Sequence, residues 1–402
     1  MATTIPETRQ GLRRASIDML RGSVMIVMAL DHVRDFFHHD AALFSPTDLA
    51  RTTPILFFTR WTTHFCLPVF MFCAGLGMYL WQERGRTRAE LSRFLLTRGL
   101  WFMLLELTVM QLAYNFNVSD RYLVLLLILW IFGICMVVMS ILIHLPLRLL
   151  AALSLAIIAL HNLFDTVQPS RFGSAAWAWN LIHQPGVIPF AGRQALTTYT
   201  LLPWIGVMAA GFCFGCLYTL EPVARRRVMI WIGIGTTIAF VVLRIGNHYG
   251  DPAPWSLQRS LVFTLLSFLN CTKYPGSLDF VLMTLGPAIL VLAWVDRRDV
   301  STANPLVVFG RVPMFYFILH FYLIHGLLIL MSFLRYGTSA SRFIFNPTPS
   351  MTGPVQLFPS NFGYSLWTVY IVWISLVALL YPLCRWFAAV KARRRDWWLS
   401  YL

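Results

Sequence analysis

Charge is scarce in this sequence. Asp, Glu, Lys and Arg make up 12% of its 402 residues, about half the share of an ordinary soluble domain. That shortage excludes a solvated surface of normal size. Hydrophobic residues reach 58%, more apolar side chain than one water-soluble core would hide. Acidic residues are scarcer still, 17 against 32 basic ones, for a formal charge of +15. Seven cysteines lie scattered, most inside apolar runs, and no spacing forms a disulfide framework. Cys213 and Cys216 make a CxxC inside the apolar stretch 204–220. Small packing residues are the plainer reading there, and no metal is called for. No small-residue cleavage site follows the first apolar run, so that run is expected to be retained rather than removed as a signal peptide. The two halves share no pattern of broken helices of the kind transporters repeat.

What the chain does have is long apolar runs. A spanning helix needs about 20 mostly apolar residues. Ten runs qualify: 16–37, 65–82, 92–114, 122–145, 147–164, 200–220, 227–247, 277–296, 306–333 and 364–388. The expected fold is an all-α polytopic membrane bundle of about ten transmembrane helices. Residues 1–14 form an N-terminal tail, 15–390 the transmembrane domain and 391–402 a basic C-terminal tail. The stretch Ser256–Cys271 is apolar but short, and reads as interfacial or re-entrant.

On a soluble chain the +15 charge would suggest nucleic acid. Here the basic residues sit mostly in short connections, where they orient a membrane protein. With the N-terminus in the cytoplasm, 17 Lys and Arg face inward and nine outward, so both termini are expected inside. The expected location is the cell (inner) membrane, with the lipid bilayer as partner and no nucleic acid; a homodimer is compatible with this. Three long external loops, 165–199, 248–276 and 335–363, carry Trp and Pro residues. They suit a lid over a substrate mouth and interfacial anchoring equally well.

Ionisable groups inside a bilayer are costly, so each is a functional candidate. The first span, SIDMLRGSVMIVMALDHVRDFFHHD, is rich in them. At about 100° per residue, Asp18, Arg21, His32, Asp35 and His39 fall on one stripe with Met25, Met28 and Ala29, while Asp31, Arg34 and His38 fall on another face. Arg21 and His32 stand about 16 Å apart along such a helix. An Arg near the cytosol suits phosphate, and a His deeper in a dry cavity suits proton abstraction from a nucleophile. Equally, Arg21 alone would pair with Asp18 at i, i+3. The ninth run repeats the order, with Arg311 below and His320 and His325 above. His320 sits in an aromatic stripe, so packing and substrate binding are evenly matched. His64, at the outer end of the second run, and Lys273, in NCTKYPGSLDF, are the other candidates for substrate binding; both also read as interfacial residues. Glu106, Gln111 and Arg244 are intramembrane polar groups without an assigned role.

The segments ASIDMLRGSVMIVMALDHVRDFF, HFCLPVFMFCAG, LLPWIGVMAAGFCFG, TKYPGSLDFVLMTLGP and FGRVPMFYFILHFYLIH resemble the bacterial branch of the heparan-α-glucosaminide N-acetyltransferase catalytic-domain family. The resemblance covers about 13–390. It implies a transmembrane acyltransferase with acetyl-CoA as cytosolic co-substrate and a glycan or amino-sugar acceptor on the far side. The Arg, ten residues, His arrangement of Arg21 and His32 is also similar to that of bacterial membrane O-acyltransferases that modify surface polysaccharides. DHVRDFFHHD replaces the family's Gly-rich segment, so the family's catalytic His maps onto His32, His38 or His39; the helical face favours His32, with His39 second and Asp35 beside them. Arg21 and Arg311 are the expected donor-binding residues. The rival reading is a transporter or flippase for a small polar or glycan-linked solute, with the same stripe lining a solute path.

The charge tally predicts a cytoplasmic signal from a reporter fused to the C-terminus. A periplasmic signal would reverse the orientation of every span after 256–271.

Overall fold

The apolar runs form helices wherever their length allows. The computed structural model describes residues 7–117, 119, 121–298, 300–394 and 396–400, and it is 71% helix and 4% strand. In chain order the helices are α1 (Glu7–Phe37), α2 (Pro54–Thr62), α3 (Cys66–Gln82), α4 (Arg88–Leu105), α5 (Gln111–Asn115), α6 (Ile128–Leu142), α7 (Leu147–Leu160) and α8 (Ala176–Ile182). There follow α9 (Leu201–Phe214), α10 (Pro222–Gly246), α11 (Leu261–Leu269), α12 (Leu278–Val295), α13 (Pro305–Arg311), α14 (Pro313–Tyr336) and α15 (Leu366–Arg393). Among the described residues, eight helical segments are long and apolar enough to cross a membrane. Each of the other two expected runs holds a helix that falls short on one criterion. α1 has 31 residues but is interrupted by charge, and α6 has only 15. α1 also begins at Glu7, inside the expected tail. Arg395, counted above among the inward charges, lies outside the described residues, as do residues 1–6.

The all-α expectation needs one correction. A three-stranded sheet is present, of β1 (Val124–Leu126), β2 (Gly186–Phe190) and β3 (Arg193–Thr197), in the order β1-β3-β2. β2 and β3 form a hairpin across Ala191 and Gly192, both at positive φ, the turn that matches strand twist. β1 falls in the apolar run 122–145, whose first residues therefore do not belong to a spanning helix. Glu106 and Gln111 explain why the chain leaves the helix there. The Glu106 carboxylate accepts from the Leu127 and Leu129 amides, each at 3.0 Å, and from the Tyr114 hydroxyl at 3.1 Å. The Gln111 amide bonds both backbone groups of Leu125, at 2.6 and 3.1 Å. These side chains cap the start of α6 and pair one edge of β1, so the backbone groups of Leu125, Leu127 and Leu129 that they meet are not stranded in apolar surroundings.

α11 has nine residues, about 14 Å of helix, too short to span. Its C-terminal end is held by Arg244 of α10. That guanidinium is 1% exposed and donates to the carbonyls of Ala253, Ser267, Phe268 and Asn270 at 3.0–3.2 Å. The ninth run is also not one helix. Val312, preceding Pro313, takes φ −128 and ψ 48 and separates α13 from α14. α13 then packs on α1 at backbone distance. A Cβ added to Gly22 would fall on the Leu306 carbonyl, and one added to Gly310 on that of Asp18.

Glu106→Ala is expected to leave the Leu127 and Leu129 amides buried and unpaired. At about 1–3 kcal/mol for each such group, the variant should lose at least about 2 kcal/mol, read as a lowered melting temperature of the purified protein.

Candidate active site

His32 and His320 meet inside the bundle. His32 lies on α1, one turn above Met28, and His320 lies two turns into α14. Their Nδ1 and Nε2 atoms are 2.6 Å apart, and the rings stack with centroids 5.0 Å apart. Phe321 packs against both rings, 4.3 Å from His32 and 4.5 Å from His320, and Phe317 meets the edge of His32 at 6.5 Å. His320 is fully buried, and its Nδ1 lies 3.1 Å from the Tyr316 carbonyl. A carbonyl only accepts, so His320 Nδ1 carries the hydrogen and the neutral ring presents a lone pair at Nε2. His32 Nδ1 must then donate to it, which leaves the lone pair of His32 on Nε2. That atom has no hydrogen-bond partner among the described residues, and His32 is only partly buried.

Below the pair, α1, α3, α4, α6, α14 and α15 enclose a cavity of about 390 Å³. Met25, Met28, Phe132, Met136 and Phe317 form apolar walls, and Arg21, Arg98 and Lys391 supply three cations at one end. Gly77 keeps the wall thin beside Arg21: a Cβ there would stand 3.9 Å from Nη2. The cavity follows the α1 stripe Arg21–Met25–Met28 towards His32.

Above the pair lies a charged cluster. Arg34 donates to Asp31 at 2.9 Å and Asp35 at 2.7 Å, and Arg60 of α2 also pairs with Asp31. Arg60 reaches the Tyr274 hydroxyl at 3.3 Å, and Tyr274 meets Tyr199 at 3.3 Å. Lys273 Nζ stands 5.5 Å from the Tyr274 ring. Burial pushes the Tyr274 hydroxyl up, but the Lys273 and Arg60 cations outweigh it and hold it below the usual tyrosine range. Burial raises the Tyr199 hydroxyl well above that range, so Tyr274 is the readier proton donor of the two.

The structure thus joins His32 to His320 and sets Arg21 at the cavity. Arg311 shares Asp18 with Arg21, at 3.8 and 3.3 Å, but is not part of the cavity wall. Asp35 faces Arg34 rather than His32. α1 ends at Phe37, so the helical stripe does not extend to His39, which is half-exposed and donates from Nδ1 to the Tyr364 carbonyl at 2.9 Å. His64 is buried against Phe280 at 5.2 Å, with Nδ1 unpartnered. The sequence reading did not single out Arg98, although an Arg in LLTRGLWFMLL carries the same intramembrane-charge signal as Arg21. It placed Arg60 in an external segment, and nothing in the sequence pairs that residue with Asp31.

A model of the family described as heparan-alpha-glucosaminide N-acetyltransferase, catalytic, matches residues 13–249. No curated protein matches the chain.

Proposed function

The chain belongs to the heparan-alpha-glucosaminide N-acetyltransferase catalytic family, whose members are membrane acetyltransferases, and from that premise we propose that it moves an acyl group, acetyl in the first instance, from cytosolic acyl-CoA to a sugar hydroxyl or amine on the outer side of the cell (inner) membrane. In this reading about ten helices cross the bilayer with both termini inside. The observation that carries the proposal is the alignment on α1 of a basic cavity mouth at Arg21 with a histidine lone pair at His32 Nε2.

The donor phosphates sit against Arg21, Arg98 and Lys391, where charge-assisted bonds are strongest. Arg311 supports that end through Asp18. The thioester runs up the cavity along Met25 and Met28. The acceptor enters from the other end, past Lys273, Tyr274 and His64. Its O–H or N–H gives the proton to His32 Nε2 as the oxygen or nitrogen bonds the acyl carbon. The C–S bond breaks, and the thiolate takes the proton back from His32. His320 does not touch substrate. It holds the His32 tautomer, and its Nε2 lone pair stabilises the imidazolium that forms. Asp35 and His39 have no contact with His32 and are assigned no step.

A positioned general base contributes about 10²- to 10⁴-fold in rate. His32→Ala is expected to lower turnover by that factor with donor affinity nearly unchanged. Arg21→Glu should weaken CoA binding while leaving the melting temperature close to wild type. Both are read on purified protein, by transfer or donor hydrolysis and by CoA titration. Near-normal turnover in His32→Ala would remove it as the base, and unchanged CoA affinity in a folded Arg21→Glu protein would remove Arg21 from the donor site.

A further inference from the structure

We propose that the turn His38–His39–Asp40, at the C-terminal end of α1, binds a divalent transition-metal ion, with zinc the ion whose chemistry it fits. The inference is independent of the acyl-transfer reading. One donor atom from each of the three side chains lies within 4.8 Å of the others. Two imidazoles and a carboxylate form a borderline-soft set suited to zinc, nickel, cobalt or copper rather than to calcium or magnesium.

The donor atoms face the right way. His39 Nδ1 gives its hydrogen to the Tyr364 carbonyl at 2.9 Å, so Nε2 is left with the lone pair, the arrangement that orients histidine ligands in metal sites. His39 Nε2 stands 3.4 Å from Asp40 Oδ2. Ligand atoms about 2.0–2.1 Å from a tetrahedral zinc are separated by nearly that distance, so these two need no rearrangement. The second imidazole, His38, is 7% exposed and makes no side-chain hydrogen bond to the described residues. Its ring centroid is 4.5 Å from that of His39. Its ring nitrogens are therefore open to an incoming ion beside the His39 lone pair and the Asp40 carboxylate.

The backbone is held ready as well. The His39 amide donates to the Tyr364 carbonyl at 3.1 Å, and the Tyr364 amide to the Phe37 carbonyl at 2.6 Å. Gly363, at φ +92, lets that strand lie against the turn; a Cβ there would stand 2.6 Å from His39 Cα. Arg335 fixes the same strand through the carbonyls of Gly363 and Asn361, at 2.6 and 3.0 Å. His39 and Asp40 are both open to solvent, so an ion has a route in, and with three protein ligands a fourth position stays with water.

The full chain, purified in detergent and stripped with a chelator, is titrated with Co²⁺ and read by its visible absorption, then back-titrated with Zn²⁺. Wild type should take up one equivalent with the intense bands of a tetrahedral site, and zinc should displace it. His39→Ala and Asp40→Asn should bind at least roughly tenfold more weakly, while His248→Ala, at an exposed position, should match wild type. Melting without metal checks the folding of each variant, and Asp40→Asn, a near-isosteric change at a partly exposed side chain, carries the test if His39→Ala is unstable. Absence of stoichiometric uptake by wild type, or equal affinity in wild type, His39→Ala and Asp40→Asn, would overturn the site.

Discussion

An ion carried into a low-dielectric interior must find its counter-charge or its hydrogen bonds there, because desolvating it unpaired costs several kcal/mol. Most of the tertiary structure that positions the site follows from this one constraint. Arg225 and Asp296, each 2% exposed, close at 2.7 Å and tie the start of α10 to the end of α12. Arg244 faces the buried carboxylates of Asp279 and Asp251 at 3.7 and 3.9 Å and donates to four carbonyls, which fixes the short helix α11 against α10. Glu106 takes two backbone amides and a tyrosine hydroxyl, and α6 starts where those amides are. Asp31, Arg34, Asp35 and Arg60 satisfy one another across α1 and α2. Apart from the local pairs of Arg34 with Asp31 and Asp35, these ions meet groups on other elements of the chain, so they act as tethers in a bundle whose apolar faces would otherwise slide.

Much of this was legible in the sequence. Apolar runs announce helices because the bilayer permits little else, and each of the ten runs contains one. The Arg21–His32 spacing was legible because a helix turns residue numbers into heights. Three things were hidden, each for a local physical reason. β1 carries the apolar residues of a span but is drawn out of helix by Gln111, which lies 14 residues upstream of its partner Leu125. The ninth run breaks at Val312 because a residue before proline avoids helical backbone, and this separates Arg311 from the helix that carries His320. His39 belongs to the stripe only for a helix that continues, and α1 stops at Phe37, where the Tyr364 strand takes over its backbone bonds.

Glycine at two heights of α1 and α13 turns ion placement into a site. Gly22 and Gly310 let the two helices touch backbone to backbone, which sets Arg311 close enough to share Asp18 with Arg21. Past Val312 the chain continues as α14 and meets α1 again at His320. The same two helical segments therefore hold α1 on both sides of the break at Val312, and α14 adds Pro313, Met314 and Phe317 to the cavity wall on the way to His320.

The histidine end is where partner choice decides chemistry. A carboxylate on His32 Nδ1 would have placed a second charge in an apolar wall formed by Phe317 and Phe321, at the full cost of its desolvation. A second imidazole, itself fixed by the Tyr316 carbonyl, does the orienting without any net charge. The nearby carboxylates Asp31 and Asp35 are committed to Arg34 and Arg60, so they neither compete for His32 Nδ1 nor protonate its free lone pair. The arrangement leaves one neutral imidazole with its free lone pair at Nε2, eleven residues along α1 from Arg21, and this is the atom to which the proposed function assigns the proton.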